Sequence, residues 1–332
     1  MRYLFLFIAI VLWLGGCSRT VMHWFYETNV VADDYRYGDL YRLANLPQFK
    51  EPQPPCPSPA LSSDTAQTHL YLIGDSFTEP QRISKRDFPV SHFQYVHWDN
   101  RSRVQLDTAK RNVLLLETVE RHFREHFSRP VVELTVVTDS TQRPAPEQVS
   151  WSKALFDQIQ SKGIEERLET VLFSQDMFLW FKELKASINL NWFDRVPPKV
   201  GISGDRNHLF VDLDVDTTKR LNASFAPLPD QELNDLVDSL NATAERFRKQ
   251  GFDAVYLSMI PNKASILEPN RGQYNRLIER VQAHPRLRVP VVDVYSHYAR
   301  QPGAVYANGD SHWNCTGRAI WLREVNEQLN SR

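Results

Sequence analysis

A short apolar run that ends in a serine-bearing turn constrains this chain more than any other feature. Residues 70–73 are nearly all apolar, which suits a strand that is buried on both faces. The run stops at Gly74-Asp75-Ser76. A buried parallel strand of this kind ends at the carboxyl edge of a sheet, where open α/β folds place their ligands. A plain strand-end turn is the alternative, since all three residue types are common in turns.

From residue 68 onward, strand-like and helix-like patterns alternate, which is typical of an α/β sheet flanked by helices. Further strands are predicted over residues 93–96, 112–116, 131–137, 209–215, 254–260 and 288–294. Helices are predicted over residues 117–127, 232–250, 273–283 and 317–329. In the run 209–215, apolar and acidic residues alternate, which predicts a strand with an exposed acidic face.

A long helical pattern over residues 148–193 interrupts this alternation and is rich in aromatic side chains. We interpret the region of about 148–207 as a helical insertion that packs over one side of the sheet. Its aromatic residues are Trp151, Phe156, Phe173, Phe178, Trp180, Phe181, Trp192 and Phe193. Aromatic residues at helical spacing favour burial in a core, because each has a large area to bury; lining a carbohydrate cleft is the alternative.

The N-terminal segment has the pattern of a secretory signal. Arg2 precedes an apolar run over residues 3–14, which is too short to span a bilayer and has the length of a signal-peptide core. The run ends in two glycines and Cys17, which resembles a bacterial lipobox. We therefore predict a lipoprotein signal peptide over residues 1–16 and lipidation of Cys17; an uncleaved signal anchor is the alternative. By the same resemblance, Ser18 favours the outer membrane over the inner one, with the chain on the periplasmic face.

Residues 17–64 are predicted to form a lipid anchor and tether, and residues 65–332 the folded domain. The second half of the tether is dense in proline and would be an extended, semi-rigid spacer. The chain has 3 cysteines. With Cys17 lipidated, Cys56 and Cys315 remain in an oxidising compartment, where a disulfide is the usual outcome. Two unpaired thiols are the alternative.

The composition excludes some partners. The chain is 42% hydrophobic and 24% charged, which is ordinary for a globular protein that buries a sizeable core. Its formal net charge is -1, and it has no long run of one sign. Nucleic-acid binding is not expected, because it would show as a basic patch or stripe. We predict no metal and no cofactor.

A histidine and a carboxylate near the C-terminus could activate the serine after the first strand. A serine hydroxyl becomes a strong nucleophile when a base, usually histidine, takes its proton and a carboxylate orients that base. Asp310 and His312 follow the last predicted strand, and residues two apart project to the same side of an extended segment. Asp310 can therefore reach one ring nitrogen of His312 while the other faces Ser76.

Two runs at the ends of the domain carry a family resemblance. Gly-Asp-Ser-Phe at residues 74–77 and Asp-Ser-His-Trp-Asn at residues 310–314 resemble the SGNH (GDSL-type) hydrolase superfamily. The Asp-x-His-Trp-Asn form is similar to the branch that contains the alginate-type polysaccharide O-acetyltransferases. Leu-Glu-Thr-Val-Glu-Arg at residues 116–121 and Pro-Asn-Lys at residues 261–263 fit that branch as well. The resemblance implies a three-layer α/β/α fold with a central, mostly parallel sheet.

The resemblance also implies roles for particular residues: Ser76 as nucleophile, His312 as base and Asp310 as the acid that orients it. Ordinary members of the superfamily carry an asparagine after the third strand that helps bind the oxyanion, and this chain has none there. Besides the backbone N–H of Ser76, the candidates for oxyanion or substrate contacts are Phe77, Asn100, Arg121 and Trp313. Arg121 could instead be a structural partner of Glu117 or Asp75.

The expected function is that of an extracytoplasmic, membrane-anchored serine O-acyltransferase. It would acetylate a cell-surface polysaccharide or exopolysaccharide through an acyl-Ser76 intermediate. The expected partners are the polysaccharide acceptor, the membrane through the lipid anchor, and a membrane-bound acyltransferase that supplies acyl groups. The alternatives are a carbohydrate or lipid esterase with the same intermediate, and a catalytically silent lipoprotein that binds polysaccharide.

Overall fold

The computed structural model describes residues 2–7, 10, 37–52, 54–61, 67–137 and 176–330. Cys17 and the first part of the insertion, residues 148–175, lie outside these ranges. Residues 2–7 are helical. In the described part of the chain, none of the helices has both the length and the apolar character needed to cross a membrane. The signal peptide over residues 1–16 and the lipidation of Cys17 stay predictions.

The described elements alternate between strands and helices along the chain. The strands are β1 (Thr68–Gly74), β2 (His92–His97), β3 (Ser102–Val104), β4 (Arg111–Val119), β5 (Leu134–Val136), β6 (Val200–Ile202), β7 (Leu209–Val211), β8 (Ala254–Ile260) and β9 (Val291–Val292). The helices are α1 (Glu120–Phe127), α2 (Asp176–Phe193), α3 (Asp212–Val215), α4 (Asp230–Lys249), α5 (Lys263–Leu267), α6 (Leu277–Gln282), α7 (Tyr295–Arg300) and α8 (Cys315–Asn330).

The central sheet is parallel and has the strand order β2-β1-β4-β8-β9. The chain leaves β1 for β2 on one side and then crosses to β4 on the other side. The strand order therefore reverses beside β1, which creates a crevice at the carboxyl ends of β1 and β4. Ile73 pairs with Leu116 in this register, so both strands end at the same edge.

Helices cover both faces of this sheet, which confirms the predicted three-layer α/β/α fold. Because side chains alternate along a strand, β1 places Tyr71 and Ile73 on one face and Leu70 and Leu72 on the other. The first pair packs in a core with apolar residues of α1, α4 and α6. The second pair packs in another core with residues of α7 and α8. Burial on both faces explains why β1, β4 and β8 are almost continuously apolar.

Several predicted boundaries differ from the structure. β4 runs on to Val119, because its last residues still pair with β8, and the helix begins only at Glu120. The strand predicted over residues 131–137 is reduced to β5, which pairs with β3 in a separate two-stranded sheet. The segment 288–294 contributes only β9, and the helix predicted over residues 273–283 is the shorter α6.

The prediction of an exposed acidic strand over residues 209–215 is wrong. Only β7 is extended; it pairs antiparallel with β6, and the chain then turns into the short helix α3. The Asp214 side chain points inward and is 1% exposed. It forms an ion pair with Arg121, which is distant in the sequence but close in space, and this opposite charge compensates its burial.

The aromatic side chains of α2 are also placed differently from the favoured core interpretation. Trp180, Phe181, Trp192 and Phe193 are 57%, 56%, 79% and 58% exposed, so that interpretation is wrong for these four residues. Leu179 and Leu190 of the same helix are buried. Apolar residues thus occupy two sides of α2, and periodicity alone does not show which side is covered. Trp151, Phe156 and Phe173 lie outside the described residues.

Part of the predicted tether is folded onto the domain. We call residues 37–52 and 54–61 the strap. Its first half contains a 3₁₀ helix (Tyr41–Asn45), and its apolar side chains, including Leu43 and Phe49, are buried against α2 and β7. Its second half is joined to the start of α8 by a disulfide between Cys56 and Cys315. Over these residues the segment is therefore not a free spacer.

A buried ion pair connects α8 to the segment after β1. Arg318 Nη2 lies 2.6 Å from Asp87 Oδ1, and their side chains are 7% and 1% exposed. We predict that Arg318→Met lowers the free energy of unfolding by about 3–5 kcal/mol, because it leaves the Asp87 charge buried without an opposite charge. Chemical denaturation measures this, with Arg323→Met on the exposed side of α8 as the control. The double variant Asp87→Asn/Arg318→Met should recover part of the loss; no recovery would contradict the explanation.

Candidate active site

The turn that carries Ser76 is fixed to the neighbouring strand by buried polar groups. Gly74 ends β1, and a side chain there would collide with Thr78 Oγ1 and Glu117 Oε2. Asp75 Oδ1 accepts a hydrogen bond from the Phe77 N–H at 3.0 Å, and its Oδ2 accepts one from the backbone N–H at the end of β4 at 2.9 Å. The turn is thus held at the crevice between β1 and β4.

Ser76, His312 and Asp310 form the arrangement that the sequence predicted. His312 Nε2 lies 2.9 Å from Ser76 Oγ, and His312 Nδ1 lies 2.7 Å from Asp310 Oδ1. Asp310 Oδ1 also accepts the His312 backbone N–H at 2.8 Å, which fixes the two residues relative to one another. Burial opposes the charge on Asp310, but the hydrogen bonds and charge of His312 outweigh it and hold the pKa of Asp310 well below its ordinary value. The geometry allows His312 Nε2 to take the proton of Ser76 Oγ while Asp310 orients the ring.

The two aromatic residues beside the triad belong to the core. Phe77 is fully buried, and its ring centre lies 4.7 Å from that of His312 and 5.1 Å from that of Trp313. Trp313 is 4% exposed and packs against Trp321 as well. The Phe77 ring thus packs against the His312 imidazole, and Trp313 packs against Phe77. Neither offers the open face that a substrate contact needs.

The backbone leaves one oxyanion donor at the turn. The Phe77 N–H is already used by Asp75, whereas the Ser76 N–H has no acceptor among the described residues. Asn100 lies in the exposed turn after β2 and lines a cavity of about 570 Å³ together with Tyr95. In enzymes that form an oxyanion, each preorganised N–H donor typically contributes about two to three orders of magnitude in rate. The Ser76 N–H is therefore the best-placed oxyanion donor.

Arg121 is a buried structural cation close to the site. Its Nη1 lies 3.3 Å from Asp214 Oδ1, so its ion pair is with Asp214 and not with Glu117 or Asp75, the two that the sequence suggested, although the Asp75 charge also acts on it. Burial opposes its charge, but the nearby carboxylates, Asp214 first, raise the pKa of Arg121 above its ordinary value. Its guanidinium carbon lies 5.9 Å from the centre of the Phe77 ring.

Glu117 lies directly beneath the serine turn. Its Oε2 accepts the Asp75 N–H at 3.0 Å and the Thr78 hydroxyl at 2.7 Å. Burial, reinforced by the negative charge of Asp75, raises the pKa of Glu117 well above its ordinary value. This carboxyl group stabilises the turn through these hydrogen bonds. It lies in the region where ordinary members of the resembled superfamily carry the oxyanion-binding asparagine.

Sequence reasoning gave no role to Lys263, which holds the loop that carries Asp310. Its buried Nζ donates to the carbonyl oxygens of Ala307, Asn308 and Asp310 at 2.5, 2.8 and 3.1 Å. Burial lowers the pKa of Lys263 to about 7. Lys263 begins α5 just after β8, so the strand-end rule that found Ser76 could have found it too.

Asp39 of the strap was missed as well, and no sequence signal could have found it. It binds Ser311, from which it is separated by 272 positions along the chain. Asp39, Asp310 and His312 each place a possible metal-ligand atom within 4.8 Å of the others. In the structure these atoms are engaged with one another and with Ser311. The cluster is better explained as a network around His312.

Comparison with protein-family models, curated proteins and solved structures gave no match for this chain. The resemblance to SGNH hydrolases therefore rests on the sequence motifs, and the activity has to be inferred from the geometry of the site.

The carboxylate behind His312 gives a sharp mutational test. We predict that Asp310→Asn lowers the turnover number for an aryl acetate ester by about 10⁴-fold, since the amide no longer fixes the required tautomer of His312. Asp216→Asn, at a half-buried position outside the triad, is the matched control, and thermal unfolding checks that both variants are folded. A loss of less than tenfold in Asp310→Asn would contradict the assigned role.

Proposed function

We propose that this protein is a serine O-acyltransferase that acetylates a polysaccharide through an acyl-Ser76 intermediate. The observation that carries the proposal is the hydrogen-bonded series from Ser76 Oγ to His312 to Asp310, with distances of 2.9 and 2.7 Å. It lies at the carboxyl edge of a parallel sheet, beside the point where the strand order reverses.

In the first half-reaction, His312 Nε2 takes the proton of Ser76 Oγ as this oxygen attacks the carbonyl carbon of the acyl donor. The Ser76 N–H donates to the oxyanion that forms. When the intermediate collapses, the leaving group receives the proton from His312, and the acyl group stays on Ser76. In the second half-reaction, His312 takes the proton of a sugar hydroxyl as this oxygen attacks the acyl-serine. When that intermediate collapses, His312 returns the proton to Ser76 Oγ, and the acetylated sugar leaves.

The exposed aromatic side chains of α2 support a sugar acceptor. Trp180 and Phe181 are in ring contact, with centroids 4.8 Å apart, and exposed aromatic rings offer rigid platforms of large area to a ligand. α2 packs on the 3₁₀ helix of the strap, and Ala44 of that helix lies against Gly309, next to Asp310. α2 thus contacts the strap, and the strap in turn contacts the loop that carries Asp310.

Transfer and hydrolysis differ only in what discharges acyl-Ser76, so intact mass spectrometry separates them. We expect an activated acetyl ester to add one acetyl group to the protein, but not to Ser76→Ala. We further expect polysaccharide oligomers to discharge the acyl-enzyme and become acetylated, because a bound acceptor in near-attack geometry out-competes water. Rapid release of acetate that is indifferent to oligomers would indicate an esterase, and no acylation at all would indicate a silent binding protein.

Acceptor binding can be tested at α2. We predict that Trp180→Ala raises the KM for oligosaccharide acceptors roughly tenfold and leaves acylation of Ser76 unchanged, because an aromatic platform is lost. Val132→Ala, which truncates an exposed apolar side chain on another part of the surface, is the control. An unchanged acceptor KM in both Trp180→Ala and Trp192→Ala would exclude α2 from the acceptor site.

A further inference from the structure

The strap brings a second carboxylate to His312. Asp39 Oδ2 lies 3.4 Å from His312 Nδ1, the nitrogen that Asp310 contacts at 2.7 Å. Asp39 also binds Ser311, the residue between Asp310 and His312. Its Oδ1 accepts the Ser311 backbone N–H at 2.7 Å, and its Oδ2 accepts the Ser311 hydroxyl. One strap side chain therefore holds the centre of this loop and faces the ring that has to take up a proton.

The backbone around Asp39 is fitted closely to the same loop. Gly38 has a φ of +141° and lies against the Gly309 carbonyl group, where a side chain would collide. The Leu40 N–H donates to the Gly309 carbonyl at 3.4 Å. Farther along the strap, Glu51 Oε2 accepts the Asn308 N–H at 2.9 Å. These contacts, with the disulfide at the far end of the strap, fix the position of Asp39.

A positively charged side chain next to His312 gives a second carboxylate a use. Arg82 Nη2 lies 3.2 Å from His312 Nδ1, the nitrogen that Asp310 also contacts. Asp39 adds a negative charge on the same side. Its side chain is 39% exposed, against 11% for Asp310, so water screens it more and its influence is smaller.

We propose that Asp39 is a positioning residue for His312, and that the strap is part of the active site. This inference rests on the proposed acyl transfer through Ser76. When His312 accepts the serine proton, its ring becomes positively charged, and Asp39 then stabilises that form alongside Asp310. Through Ser311 it also keeps the loop, and hence the ring, in line with Ser76. The other charged groups on this side are Arg82, which contacts the ring, Arg121 of α1, which faces the Phe77 ring beside it, and Lys263 of α5, which donates to the Asp310 carbonyl.

The test is Asp39→Asn in the full chain with the disulfide intact. The amide oxygen can still accept the Ser311 N–H, so mainly the charge is removed. NMR of the histidine rings, with His312 assigned from His312→Ala, should show the titration midpoint of His312 about half to one pH unit lower. Turnover of an aryl acetate ester should fall about three- to tenfold, with the acid limb of its pH profile moved in the same direction.

Three further variants separate this role from a purely structural one. Glu51→Gln removes a strap charge beside Asn308 and should leave the His312 midpoint in place. Asp39→Glu keeps the charge, so its His312 midpoint should lie close to the wild-type value. Cys56→Ser/Cys315→Ser frees the far end of the strap without altering Asp39, and should move the midpoint downward by a smaller amount.

The outcomes distinguish this inference from the proposed function. An unchanged His312 midpoint in both Asp39→Asn and the double cysteine variant overturns the inference, even if the protein turns over esters. If Asp39→Asn lowers the His312 midpoint but the wild-type protein never acylates Ser76, the positioning role is kept and acyl transfer is refuted. An equal shift in Glu51→Gln also overturns the inference, because it would show only a general effect of strap charge.

Discussion

The hydrogen bond between Ser76 Oγ and His312 Nε2 joins the two ends of the folded domain, and much of the structure serves to keep it short. On one side, the serine turn is tied to β4 through Asp75 and braced from below by Glu117. On the other, Lys263 holds the loop before His312 from inside, and the strap holds it from outside. The sheet alone would bring the two segments to one edge, but it would not fix their side chains.

These supports are polar and buried, which is energetically demanding. Lys263 and Asp214 are each 1% exposed, and a buried ionised group is tolerated only when hydrogen bonds or an opposite charge compensate it. Lys263 is compensated by three carbonyl groups and Asp214 by Arg121. Such groups stabilise less than well-packed apolar residues would. Their concentration beneath the carboxyl edge is consistent with a site whose geometry is held for function.

The sequence predicted those parts of the site that follow local rules. Ser76 was found from an apolar strand and its terminal turn, and Asp310 with His312 from their spacing after the last strand. Asp39 could not be predicted, since its partner Ser311 is brought near only by the complete fold. The inward orientation of the Asp214 side chain could not be predicted either, because its partner Arg121 is also distant in the sequence.

Helix α2 shows a different limit of sequence reasoning. Its residues were correctly expected to be helical and aromatic, but apolar side chains on two sides left their burial undecided. In the strap, the density of proline suggested a spacer, whereas buried leucine and phenylalanine side chains and a disulfide fasten it to the domain. Both differences concern packing partners that are distant in the chain.

The most direct test of the central claim is whether His312 activates Ser76. A fluorophosphonate reacts irreversibly with a serine whose proton is taken by a base. Peptide mass spectrometry of the treated protein should place the adduct on Ser76, and the labelling rate should fall by at least about 10³-fold in His312→Ala. An adduct elsewhere, no adduct, or labelling of His312→Ala at the wild-type rate would contradict the account.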